Sequence, residues 1–73
     1  MKKIMIFGAN GMLGASLTRY LSKNPKISIY ACVRNEEYID LFKGLNIEKV
    51  FVNIDILDEK IIDSVITEVK PDV

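Results

Sequence analysis

Residues 7–14, FGANGMLG, contain three glycines with a Gly-x-x-Gly-x-x-Gly spacing. An apolar run at residues 4–7 precedes them, and a pattern typical of a helix follows from Met12. A turn between a strand and a helix presents free backbone N–H groups and the positive helix end to phosphate groups. The spacing differs by one residue from the G-x-G-x-x-G pattern, so the surrounding elements must distinguish a phosphate site from an ordinary loop.

The apolar pattern along the chain predicts three strands that alternate with three helices. The predicted strands cover residues 4–7, 27–33 and 50–54, and the predicted helices cover residues 12–23, 35–43 and 58–69. Asn35 and Asp58 are expected to cap the second and third helices, and Gly44 follows the end of the second. The apolar face predicted for the first helix contains Leu13, Leu17, Tyr20 and Leu21.

Alternating strands and helices favour parallel strands joined by right-handed crossovers. The predicted fold class is therefore α/β, a Rossmann-like three-layer αβα arrangement with a parallel sheet in the order β-α-β-α-β-α. A fourth strand would begin near Asp72, so residues 1–73 are interpreted as the first half of a doubly wound domain. A central first strand would then lack a partner on one edge, which predicts self-association through that edge.

The composition excludes several classes of function. The formal net charge of zero favours neither nucleic acid nor a membrane surface as a partner. With no histidine and Cys32 as the single cysteine, no zinc site or internal disulfide is expected, and Cys32 is interpreted as a core residue. The apolar runs are too short for a signal peptide or a membrane span, so the expected location is the cytoplasm.

Each glycine of the FGANGMLG stretch has an expected role in a dinucleotide-binding turn. Gly8 lets the chain turn sharply after the strand, Gly11 lets the backbone approach a pyrophosphate, and Gly14 lets the helix pack closely against the strand. The position between a predicted strand and a predicted helix favours phosphate binding over an ordinary loop.

Two further positions follow the ends of the second and third strands. Arg34 stands where an arginine accommodates the 2′-phosphate of NADP, although it could also be a solvated surface residue. Glu36 and Glu37 lie close by and keep NAD possible, since an acid in this region pairs with the ribose 2′-hydroxyl. Asp55 could accept a hydrogen bond from adenine or form a turn that leads to Asp58.

Two stretches resemble extended short-chain dehydrogenases/reductases: IMIFGANGMLGASLTRYL at residues 4–21 and VNIDILDEKIIDSVITEVKPDV at residues 52–73. GANGMLG and KPDV look most like dTDP-4-dehydrorhamnose reductases and related sugar-nucleotide reductases. The resemblance implies that residues 1–73 are the N-terminal half of a Rossmann domain and bind NADP(H). The whole protein would then be an oxidoreductase that reduces a keto group of a nucleotide-linked sugar. The cofactor contacts that the resemblance implies are Gly8, Asn10, Gly11, Met12, Leu13, Gly14, Arg34, Asp55 and Ile56.

The catalytic residues of that family have no counterpart here. Its members use a Tyr-x-x-x-Lys pair further along the chain, in which the lysine lowers the pKa of the tyrosine. The three tyrosines are followed four residues later by Asn24, Arg34 and Phe42, so no catalytic residue is assigned. The alternatives are a non-catalytic dinucleotide-binding module, resembling the NmrA-like redox sensors, and a truncated product without a function of its own.

Overall fold

A computed structural model describes residues 2–73, in which strands and helices alternate. In chain order they are β1 (Lys2–Phe7), α1 (Met12–Leu21), β2 (Ile27–Cys32), a 3₁₀ helix (Glu36–Phe42), β3 (Lys49–Phe51) and α2 (Glu59–Val69). Neither α-helix in this part of the chain has the length and apolarity needed to cross a membrane.

The strands form one parallel sheet in the order β1-β2-β3. β1 pairs with β2 along its whole length, from Lys2 opposite Ile27 to Phe7 opposite Cys32. β3 is shorter and pairs only with the second half of β2. The α/β class, the parallel sheet and the alternating order predicted from the sequence are confirmed.

Two hydrophobic clusters cover the two faces of the sheet, because successive strand residues point to opposite faces. On one face, Leu21 of α1 and Phe42 of the 3₁₀ helix pack with Ile6, Ile29, Ala31 and Val33. On the other face, Val65 and Val69 of α2 pack with Met5, Cys32 and Ile54. The sheet therefore lies between two helical layers, as the sequence predicted.

The inward face of α1 differs from the predicted one. Thr18 and Ala15 are buried, whereas Leu13, Leu17 and Tyr20 are exposed, Leu13 to 82%. The hydroxyl of Thr18 donates to the carbonyl of Gly14 at 2.7 Å, which satisfies it inside the protein. The prediction is confirmed for Leu21, which packs against the core, but it is wrong for the other three residues. They are exposed because α1 lies so close to the strands that small residues face them.

The second helix and the third strand are less regular than predicted. Residues 36–42 form a 3₁₀ helix, and the side chain of Asn35 makes no capping hydrogen bond. Gly44 follows with a φ of +83°, as expected for the residue after a helix end. The third strand ends at Phe51, two residues before Asn53, whose φ of +59° is left-handed and breaks the extended backbone.

The limits of α2 agree with the prediction. The carboxylate of Asp58 accepts hydrogen bonds from the N–H groups of Lys60 at 3.1 Å and Ile61 at 3.3 Å. These bonds satisfy backbone donors that the first helical turn leaves unpaired. At the other end, Lys70 adopts a left-handed φ of +54° directly before Pro71.

The edge of β1 that does not face β2 is hydrogen-bonded to the last two residues of the chain, Asp72 and Val73. Val73 donates its N–H to the carbonyl of Lys3, and its carbonyl accepts the N–H of Met5 at 2.9 Å. The carboxylate of Asp72 accepts the N–H of Lys3 at 2.8 Å. The expectation that this edge has no partner is therefore wrong beside Lys3 and Met5, and self-association through the edge stays a prediction.

Candidate functional site

The turn between β1 and α1 is built around the carbonyl of Gly8. Gly8 has a φ of +69°, a conformation that a side chain makes costly. Its carbonyl accepts the N–H of Gly11 at 3.0 Å, which closes the turn. The next residue, Ala9, is fully buried and donates its N–H to the carbonyl of Cys32. The turn is thus fixed both to itself and to the end of β2.

The same carbonyl limits the space for a side chain at the two later glycines. A Cβ added to Gly14 would lie 2.3 Å from the Gly8 oxygen, and one added to Gly11 would lie 3.3 Å from it. The close helix packing predicted for Gly14 is thus present in the structure. At Gly11, the structure shows that a side chain would crowd the turn itself. The approach of the Gly11 backbone to a pyrophosphate stays a prediction.

The first turn of α1 presents unpaired backbone donors. Gly11 is the N-cap residue, in an extended conformation and without a side-chain capping bond. The first hydrogen bond of α1 runs from the N–H of Ala15 to the carbonyl of Gly11, so within residues 2–73 the N–H groups of Met12, Leu13 and Gly14 have no acceptor. The side chains of Met12 and Leu13 are exposed. Free donors at a helix N-terminus are suited to bind an anion.

An open cleft of about 170 Å³ lies at the carboxyl ends of the strands. Five of the predicted cofactor residues line it, together with one residue that the sequence analysis did not single out: Gly8, Asn10, Arg34, Asp55 and Ile56, with Ile54 added. Gly11, Met12, Leu13 and Gly14 are not among the lining residues and belong to the adjoining turn and helix start. Ile54 was missed because it was predicted only as the last residue of the third strand.

Arg34 follows β2 and has an exposed side chain that lines the cleft. Among the described residues its guanidinium makes no ion pair and no hydrogen bond, even though Glu36 and Glu37 follow closely in the chain. A guanidinium in an open cleft with no carboxylate partner can pair with a phosphate in a two-pronged geometry.

Asp55 serves as a turn residue in addition to lining the cleft. One carboxylate oxygen accepts the N–H of Leu57 at 2.9 Å, and the Asp55 carbonyl accepts the N–H of Asp58 at 2.9 Å. The turn interpretation is therefore confirmed, while a contact with adenine stays a prediction. Ile56 is 64% exposed beside it and offers an apolar surface in the cleft.

Two backbone hydrogen bonds join the segments that carry Arg34 and Asp55. The N–H of Val33 donates to the carbonyl of Phe51, and the N–H of Ile54 donates to the carbonyl of Val33, both at 2.9 Å. Val33 is fully buried between them. The two sides of the cleft are thereby held together by the backbone before any ligand binds.

A shallow, open depression of about 500 Å³ on the surface is lined by Asn35, Glu36, Glu37 and Asn53. Asn35 directly follows Arg34, and Asn53 directly precedes Ile54, so the same two segments line both spaces. Glu36 and Glu37 form the start of the 3₁₀ helix and are exposed. Arginine and glutamate side chains thus stand in neighbouring spaces after β2.

The cleft and the adjoining start of α1 together fit one end of a dinucleotide. Unpaired N–H groups at the start of α1 suit a pyrophosphate, and the free guanidinium of Arg34 suits a further phosphate. The apolar side chain of Ile56 and the carboxylate of Asp55 suit an aromatic base with amino groups. At about 170 Å³ the cleft is smaller than the roughly 300–1,000 Å³ of typical ligand pockets, so it can enclose only part of such a ligand.

The thiol of Cys32 takes no part in this site. It is 1% exposed within the sheet, and burial raises its pKa to about 11. A thiol with so high a pKa is protonated at neutral pH and is a poor nucleophile. The interpretation of Cys32 as a core residue is confirmed.

A family model described as the NmrA-like family matches residues 1–71. No curated protein matches the chain. The match covers β1, the glycine turn, every cleft residue and α2.

Proposed function

The chain belongs to the NmrA-like family, an NAD(P)-binding family of Rossmann type, and on this premise we propose that it binds NADP(H) in preference to NAD(H). The observation that carries the proposal is the cleft at the carboxyl ends of the strands, where Gly8, Asn10, Arg34, Asp55 and Ile56 meet. In open α/β sheets, ligands bind at this end of the strands.

Each part of the cofactor has a proposed partner. The N–H groups of Met12 and Leu13 would hold the pyrophosphate at the start of α1, with Asn10 beside it. Arg34 would pair with the 2′-phosphate, which NAD(H) lacks. One carboxylate oxygen of Asp55 accepts the N–H of Leu57, and the other would accept a hydrogen bond from the adenine amino group. The side chain of Ile56 would pack on the adenine ring.

We propose further that residues 1–73 form the half of a Rossmann domain that binds the adenosine and pyrophosphate. The nicotinamide of a bound cofactor would supply the hydride chemistry, and the protein would position the cofactor. Membership in the NmrA-like family favours a dinucleotide-binding module or redox sensor.

A second candidate is the NADP(H)-binding portion of an enzyme that reduces a keto group of a nucleotide-linked sugar. It is supported by the resemblance of GANGMLG and KPDV to sugar-nucleotide reductases. A protein that contains these residues and consumes NADPH only when a keto-sugar nucleotide is added would support the enzyme. Binding of NADPH without consumption would support the sensor.

The direct test compares thermal unfolding of the chain with and without each cofactor. A ligand that binds only the folded state raises the unfolding midpoint. We expect NADPH to raise it more than NADH does, and Arg34→Ala to abolish that difference while leaving the NADH shift in place. Lys43→Ala removes a positive charge elsewhere and serves as the control. Equal shifts for NADPH and NADH in the unaltered chain would contradict the assignment of Arg34.

A further inference from the structure

Asn10 is the one asparagine in this sequence that glycine follows, and it lies in the middle of the turn between β1 and α1. The other asparagines precede proline, glutamate or isoleucine: Asn24, Asn35, Asn46 and Asn53. The side-chain amide of an asparagine can react with the backbone nitrogen of the next residue. A glycine there hinders the reaction least, because it has no Cβ. The sequence therefore makes Asn10 the asparagine best suited to this reaction.

The structure leaves both reacting groups accessible to solvent. Asn10 is partly exposed and lines the open cleft, and Gly11 is exposed. Among the described residues the side-chain amide of Asn10 makes no hydrogen bond that would hold it away from the backbone. The N–H of Gly11, however, donates to the carbonyl of Gly8 at 3.0 Å. While this bond is intact the nitrogen keeps its proton, so the reaction requires the turn to open.

We propose that Asn10 is a site of spontaneous deamidation, and that the hydrogen bond between Gly11 and Gly8 controls its rate. Hydroxide removes the proton from the Gly11 nitrogen, which attacks Cγ of Asn10. A C–N bond forms, the bond from Cγ to Nδ2 breaks, and ammonia leaves with a proton from water. A second water molecule hydrolyses either carbonyl of the resulting succinimide ring. The product is aspartate or isoaspartate, and nothing is oxidised or reduced.

Either product alters the start of α1. Aspartate places a negative charge one residue before the N-cap Gly11, where the unpaired N–H groups of Met12 and Leu13 attract anions. Isoaspartate adds a Cβ to the main chain and so lengthens the turn that the bond between Gly11 and Gly8 closes. This consequence rests on the proposed function, in which the same donors hold the pyrophosphate of both cofactors. Deamidation would therefore weaken NADPH and NADH binding together.

Mass spectrometry of the full chain at mildly alkaline pH tests the site. Cleavage after lysine and arginine leaves Asn10 in residues 4–19 and each other asparagine in a separate peptide. We expect an amide to be replaced by a carboxyl first in residues 4–19. The reaction there should be about two- to tenfold faster in guanidinium chloride, the factor by which one hydrogen bond favours a closed turn. Saturating NADPH should slow it in the folded chain.

Gly11→Ala separates the chemistry from the fold, because it should slow the reaction even in guanidinium chloride, where the turn is absent. Asn10→Asp reproduces one product and should lose more affinity for both cofactors than Asn10→Gln, which adds no charge. Modification of another asparagine first, or a rate at Asn10 that unfolding does not raise, would overturn the inference.

The outcomes for the site and for the proposed function are distinguishable. If NADPH does not raise the unfolding midpoint and Asn10 is still modified first, the proposed function fails and the deamidation site is supported. If NADPH raises the midpoint but Asn10 stays intact in both solvents, the inference fails and the proposed function is retained.

Discussion

Gly14→Ala tests how closely α1 approaches the end of β1. The added Cβ would lie 2.3 Å from the Gly8 oxygen and 3.0 Å from the Cα of Ala9. Ordinary contacts between such atoms are about 3.5 Å or longer. Both neighbours are backbone atoms of a turn that hydrogen bonds hold in place, so neither can rotate away. The helix would have to shift by about 1 Å.

The expected sign separates this effect from helix propensity. Replacing glycine with alanine inside a helix normally stabilises a protein by about 0.5–1 kcal/mol. Overpacking costs about 1–3 kcal/mol, and rigid backbone neighbours favour the upper part of that range. We therefore expect a net loss of about 2 kcal/mol in the free energy of unfolding. For a chain of this size, that loss lowers the unfolding midpoint by roughly 10 °C.

Urea unfolding followed by circular dichroism measures the change. Ser16→Ala, at an exposed position of the same helix, is the control and should alter stability by only a few tenths of a kcal/mol. If Gly14→Ala proves as stable as the unaltered chain or more so, α1 does not lie as close to Gly8 as described, and the explanation of its small inward residues is wrong.

Three other perturbations test separate parts of the molecule. Gly11→Ala places a Cβ 3.3 Å from the Gly8 oxygen and should weaken the binding of NADPH and NADH to the same degree. Titration of each cofactor measures this, and a loss of affinity for only one of them would count against a role of Gly11 in the shared turn. Asp58→Ala removes the cap of α2 and should cost about 1 kcal/mol in urea unfolding, whereas Asp58→Asn should cost much less. The pKa of Cys32 is raised by burial from 9.0 to about 11, so the folded chain holds this proton more tightly than the unfolded chain does. The stabilisation from this raised pKa is complete below about pH 9 and should fall by about 2–3 kcal/mol by pH 11. The measurement is the free energy of unfolding of the unaltered chain and of Cys32→Ala as a function of pH. A difference between the two that stays constant from about pH 8 to pH 11 would contradict this prediction.

The order of the elements was predictable because apolar runs and turn residues alternate clearly along the chain. The face of α1 was not, because apolar periodicity favours large side chains for the interior. Here the helix approaches so closely that Thr18 and Ala15 face the strands, and Leu17 and Tyr20 stay exposed. The clue in the sequence was Gly14, which signals a close approach and therefore small inward neighbours.

Much of the cleft was predictable because parallel strands end at one edge of the sheet. This rule alone places Arg34 and Asp55 beside the glycine turn, and the structure shows them lining one cleft. The early end of β3 was not predictable, since it depends on Asn53 taking a left-handed conformation that its apolar neighbours do not signal. The roles of these residues in cofactor binding stay predictions.

The pairing of Val73 with Lys3 and Met5 gives β1 a neighbour on each side. From β1 the chain first moves through β2 to β3, then returns across the sheet to the opposite side of β1. The two connections also lie on opposite faces, with α1 on one and α2 on the other. The path of the chain therefore reverses at β1, and connections that diverge in this way leave a gap above its carboxyl end. Substitutions among the lining side chains alter the chemistry of this gap, but the gap itself persists for as long as the strand order does.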